Sequence, residues 1–137
     1  MTDLKLEWVV PEREGAVVNQ LLESMGGHSE SPRLWTPGAE ELDDEGDMAF
    51  EPLVLITASF AAAALLKAVS SIALDHLYPG GDLFDLRSGR LRRRPIPTLP
   101  RGTIVIVTDT GTEKFEPTRR DDGLLALDRC MKRLVGA

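Results

Sequence analysis

Six arginines crowd into fifteen residues: Arg87, Arg90, Arg92, Arg93, Arg94 and Arg101. A guanidinium is planar, permanently charged and able to grip a carboxylate or phosphate through two parallel hydrogen bonds, so such a run has the chemistry of an anion-binding surface. Three classes of anion fit it. One is a nucleic-acid backbone, although Phe84 is the only aromatic nearby and base stacking has little support. A second is an acidic patch on a partner protein. The third belongs to the chain itself, where Glu40, Glu41, Asp43, Asp44, Glu45 and Asp47 form the mirror feature. The six arginines, with Glu40, Glu41, Asp43 and Asp44, are the candidate partner-binding residues.

Other reactive side chains do not assemble into a site. Asp75 and His76 follow Ser70 and Ser71, which invites a Ser/His/Asp reading. Adjacent residues on a helix diverge by about 100°, however, so Asp75 and His76 do not form the orienting bond a triad needs. His76 reads instead as a cation at a helix C-terminus. His28 sits in a Gly-rich stretch without an identifiable partner, and Cys130 lies among apolar helix positions as a small hydrophobe. Asp43, Glu45 and Asp47 alternate like calcium ligands, but the glycine offset is wrong for an EF-hand loop. Two histidines and one cysteine make no zinc motif. Gly26-Gly27 and Gly80-Gly81 lack the strand-glycine-helix setting of a phosphate loop. No catalytic residue, metal ion or cofactor is expected, and the function class is non-enzymatic.

The elements that must position these residues belong to a chain of 137 residues, 42% hydrophobic and 28% charged, which is enough for one domain with its own core. The net charge of −6 excludes the basic balance of a dedicated nucleic-acid coat while leaving room for a local basic patch. Residues 1 to 50 carry 12 acids and 3 bases, residues 51 to 102 carry 4 and 7, and residues 103 to 137 carry 6 and 6. An acidic first third therefore faces a basic middle. A single cysteine allows no internal disulfide, and no apolar stretch precedes the first charges, so a reducing cytoplasm is the expected compartment.

Alternation of Leu4, Leu6 and Trp8 with charged neighbours predicts a first strand ending at Pro11. Val17, Val18, Leu21, Leu22 and Met25 share one helical side over 12–25, closed by Gly26-Gly27. Residues 26–50 read as a long acidic surface connection, with Leu34 and Trp35 anchoring a short strand. Leu53 to Leu77 has no internal Pro or Gly and is dense in Ala and Leu, which predicts one long helix. Its stretch 53–74 carries Lys67 as its only charge, so it is a central core helix, a membrane-inserting segment or a helix whose exposed face docks on a partner. Leu83 to Leu86 and Leu91 to Arg94 read as short strands about a turn, inside an Arg/Pro-rich segment over 87–101. Thr103 to Thr108 is β-branched throughout and reads as a central strand, turning at Asp109-Thr110-Gly111-Thr112 into Glu113–Glu116. A last amphipathic helix starts near Asp121-Asp122. The expected fold is α+β: a small antiparallel or mixed sheet against a long central apolar helix, with amphipathic helices at both ends, in a single domain over 1–137.

The stretches Phe60-Ala61-Ala62-Ala63-Ala64-Leu65-Leu66 and Gly102-Thr103-Ile104-Val105-Ile106-Val107-Thr108-Asp109-Thr110-Gly111-Thr112 carry a further signal. Across about Leu53 to Glu116 the chain resembles the effector-associated constant components, small proteins of actinobacterial conflict systems, in which an Ala/Leu-rich helix precedes short strands and a Gly-Thr-Val-Val hairpin. The resemblance implies an accessory or regulatory component acting beside an effector enzyme or NTPase, with no catalytic residues to transfer. The expectation is accordingly an adaptor whose partner is another protein or a second copy of itself. Nucleic-acid binding through Arg87 to Arg101 and membrane association through 53–74 are the alternatives.

Overall fold

The computed structural model describes residues 4–35 and 52–136. Strand β1 spans Leu4–Pro11, and after a single 3-10 turn helix α1 covers Gly15–Ser24. Gly26 ends α1 with φ +97°, a left-handed conformation that glycine adopts freely. The Gly27 amide donates to the Leu22 carbonyl and the Gly26 amide to that of Glu23, the paired bonds of a Schellman cap. Two short strands follow, β2 at His28–Ser29 and β3 at Arg33–Trp35, so the short strand expected at Leu34 and Trp35 forms, although Leu34 is exposed rather than anchoring it.

The long helix expected over 53–77 does not form. Leu53–Phe60 is strand β4, and helix α2 begins only at Ala62 and ends at Asp75. The physical reason is twofold. Val54, Ile56 and Thr57 are β-branched and favour extended backbone. All eight residues also pair antiparallel with β1, from Leu53 opposite Pro11 to Phe60 opposite Leu4. A strand buried on both faces reads as an unbroken apolar run, and such a run cannot be told from a helix by periodicity. Helix α2 is about 21 Å long at 1.5 Å per residue. No helix among the described residues is long and apolar enough to cross a membrane, and 53–74 is divided between β4 and α2.

The second half follows the expected order. Strands β5 (Gly81–Asp85) and β6 (Leu91–Ile96) form an antiparallel pair around a 3-10 turn at Arg87–Gly89. Strands β7 (Ile104–Thr108) and β8 (Gly111–Phe115) form a hairpin closed by Asp109-Thr110. Helix α3 covers Arg120–Gly136. Together the strands build one eight-stranded mixed sheet in the order β2-β4-β1-β6-β5-β7-β8, with β3 also on β4. Its two parallel contacts, β1 with β6 and β5 with β7, join segments far apart in sequence.

The three helices pack on one face of this sheet. Leu6, Trp8 and Val10 of β1, Val54, Ile56, Ala58 and Phe60 of β4, and Ile104 and Ile106 of β7 meet Leu65, Val69 and Ile72 of α2 and Leu127 and Met131 of α3 in one core. The fold is α+β, and the helices among the described residues all contribute to this core on one face of the sheet.

Candidate functional site

Strand β6 carries Arg92, Arg93 and Arg94, and successive side chains of a strand point to opposite faces. The run is therefore split by the sheet. Arg93 shares the inner face with Leu91 and is 1% exposed, the largest fully buried side chain of the described part. Arg92 and Arg94 face outward and are only partly buried. Arg93 thus belongs to the interior and cannot touch a partner directly, a correction to the reading of Arg92-Arg93-Arg94 as one continuous surface.

A buried guanidinium needs its charge and its hydrogens matched. Arg93 Nε and Nη2 both donate to Asp82 Oδ1, at 3.0 and 2.6 Å, and Nη2 also donates to the His76 carbonyl at 2.6 Å. Its plane lies among aromatic rings, 4.4 Å from the Tyr78 centroid, 5.4 Å from Trp8 and 5.7 Å from Phe84, within cation-π range. Asp82, itself fully buried, receives a second cation at its other oxygen, where Arg120 Nη1 stands 3.4 Å from Oδ2. Arg120 also donates to the carbonyls of Gly102 and Ala73. The cluster therefore ties β5, β6 and α3 to the end of α2, and its two guanidiniums cap that helix's terminal carbonyls, where the helix dipole favours positive charge. The cationic role expected of His76 falls to Arg93 and Arg120. The His76 ring instead stands edge-on to Trp8 at 5.9 Å. Tyr78 completes the cluster, its hydroxyl donating to the Val9 carbonyl, and burial pushes its pKa well above the ordinary phenol range.

The outward face is built differently. Directly paired residues share a face, which links Glu7, Arg92 and Asp85 across β1, β6 and β5, and Arg94, Leu83, Val105 and Lys114 across β6, β5, β7 and β8. The Glu7 carboxylate is buried and holds Arg92 Nε at 2.8 Å and Arg90 Nη1 at 3.5 Å. Arg87 grips Asp85 with both Nε and Nη2, at 3.0 and 2.8 Å, and its backbone amide donates as well. Burial alone would raise the Asp85 pKa, but these Arg87 hydrogen bonds prevail and hold it below the ordinary carboxylate value. Val9, Leu55, Leu83 and Val105 form a buried apolar centre on this face. Among the described residues, Lys5, Arg33, Arg90, Arg92, Arg94 and Lys114 around it outnumber Glu7 and Asp85. Arg101 is exposed in the turn between β6 and β7.

Glu40, Glu41, Asp43 and Asp44, with Glu45 and Asp47, lie outside the described residues. Ser71 donates to Asp75 at 3.5 Å, a local helix contact, while His28 is exposed on β2. Cys130 is buried on α3, where Arg133 Nη2 reaches its sulfur at 3.4 Å. Among the described residues no three His, Cys, Asp or Glu side chains gather as metal ligands. The sequence reading missed Glu7, Asp82, Tyr78 and Arg120. A signal for the first two was a carboxylate inside each apolar strand next to the arginine strand, since a buried acid requires a cation.

No protein-family model matches the chain, and neither a curated protein nor a solved structure matches it significantly.

Proposed function

We propose that the chain is a non-enzymatic adaptor or regulatory protein that binds an acidic surface of a partner protein through the sheet face opposite the described helices. The observation that carries this reading is the cationic fringe of that face, where Lys5, Arg90 and Lys114 are exposed and Arg92 and Arg94 partly so around a buried apolar centre at Val9, Leu55, Leu83 and Val105. A sheet covered by helices on one side and fringed with guanidiniums on the other suits recognition of carboxylates, with charge steering the encounter. On this reading the partner is an effector enzyme or NTPase in a bacterial cytoplasm, as the resemblance to conflict-system components implies. The acidic residues Glu40, Glu41, Asp43 and Asp44 are, by their charge, a second partner-binding segment of opposite sign in this reading.

Partner capture from the native host, followed by mass spectrometry, tests the reading when run beside a variant carrying Lys5→Glu, Arg90→Ala and Lys114→Glu. These exposed positions leave the inner cluster intact. The expected result is a captured protein that the variant loses while its melting temperature stays close to wild type. Equal capture by both would overturn the assignment of this face. Binding of the same face to nucleic acid is the competing outcome, and it shows as an affinity for DNA or RNA that falls steeply with salt.

A further inference from the structure

The solvent side of helix α2 is unlike that of its neighbour. Helix α3 turns the charged Asp121, Asp122, Arg129, Lys132 and Arg133 to water around a single large apolar side chain, Leu125, that is 60% exposed. Helix α2 exposes Ala63, Lys67, Ser70 and Leu74, a single stripe at spacings of four, three and four residues. Leu74 is 60% exposed, one of few large apolar side chains so placed. Beside the stripe, α2 and α3 leave a groove of about 90 Å³ walled by Leu66, Val69, Ala73, Leu74, Leu127 and Met131 among others, with Ser70 and Asp128 its only polar lining.

The charges on α2 say what fits there. The helix has two, Lys67 and Asp75, both exposed and neither in an ion pair among the described residues. They are of opposite sign and stand symmetrically about Ser71, two turns apart. Small Ser70 and Ser71 occupy the midpoint. A second α2 laid antiparallel across this midpoint brings each Lys67 to the other copy's Asp75, and carries each Leu74 to the Leu66 and Met131 end of the opposite groove. Such self-complementarity about a two-fold axis is what an isologous interface requires.

We infer that α2 is a homodimer interface, packing antiparallel on α2 of a second copy with paired Lys67–Asp75 contacts and Leu74 seated in the partner's groove. The surface lies on the helix layer, opposite the cationic sheet face, so self-association and partner binding do not compete. The inference is independent of the proposed adaptor role.

Sedimentation equilibrium from about 1 µM to about 1 mM, the range of modest interfaces, tests it. Wild type is expected to dimerise reversibly within that range. Lys67→Glu and Asp75→Lys, each placing like charges together twice, are each expected to weaken the dimer about tenfold or more. The combined variant reverses both pairs and is expected to recover wild-type association. Leu74→Asp is expected to give a monomer, with its helical content checked by circular dichroism. A wild-type monomer across the range would overturn the inference, as would a combined variant no stronger than either single one.

Discussion

Strand β6 separates two arginine–carboxylate clusters that are chemically alike and physically unlike. Inside, Arg93 and Arg120 converge on Asp82, and both members of the closest pair are 1% exposed. Outside, Arg90 and Arg92 converge on Glu7, with the arginines 53% and 25% exposed. Charges deep in a protein interact through a low effective dielectric and cannot be rescued by water, whereas outer cations are screened and resolvated when a partner is lost. The inner cluster therefore fixes how α2, α3 and the sheet meet. The outer one leaves its guanidiniums available to another molecule. A run of arginines in sequence need not be one functional unit, because a strand deals alternate residues to opposite fates.

The sharpest way to break this distinction is to remove the buried anion. Asp82→Ala strands two guanidiniums in the interior and is expected to cost about 3–5 kcal/mol in chemical denaturation. A cost below about 1 kcal/mol would mean that the pair is solvated and the two clusters equivalent. Arg93→Lys keeps the charge but loses the forked contact to Asp82 and the stacking on Tyr78, at an expected cost of about 2 kcal/mol by the same measurement. On the outer side, Glu7→Gln removes a buried carboxylate whose partners can turn to water, for an expected loss of about 1 kcal/mol. Arg90→Ala is expected to stay within about 0.5 kcal/mol of wild type.

The mildest effect concerns pH. The folded pKa of Asp85 is depressed below the ordinary carboxylate value, so its stabilising contribution is fully present at neutral pH and is lost only as pH falls through that depressed value. Arg87→Ala removes the bonds that hold the carboxyl down and leaves burial to raise it. Its NMR titration midpoint should move upward, and acid destabilisation should begin at higher pH. An unchanged midpoint would show that Arg87 does not set it.

Much of the architecture was legible where local signals and tertiary packing agree. The alternation at Leu4, Leu6 and Trp8, the Gly26-Gly27 stop, the β-branched run at Thr103–Thr108 and the Asp121-Asp122 helix start each correspond to an observed element. The boundary inside 53–77 was not legible from periodicity, because β4 is buried on both faces and α2 is nearly uncharged, so one apolar run hides two structures. Its signal lay in residue type, with β-branched Val54, Ile56 and Thr57 giving way to Ala62, Ala63 and Ala64. The split of the arginine run followed from period two once β6 was a strand. Which side faced inward depended on the parallel pairing of β1 with β6 across more than eighty residues, and no local pattern encodes that register.

The most direct test of the central claim is a pair of double-mutant cycles, Asp82 with Arg93 and Glu7 with Arg90, measured by denaturation under identical conditions. The account predicts a coupling energy of about 2 kcal/mol or more for the inner pair and less than about 0.5 kcal/mol for the outer one. Equal coupling energies, whether both large or both small, would contradict it.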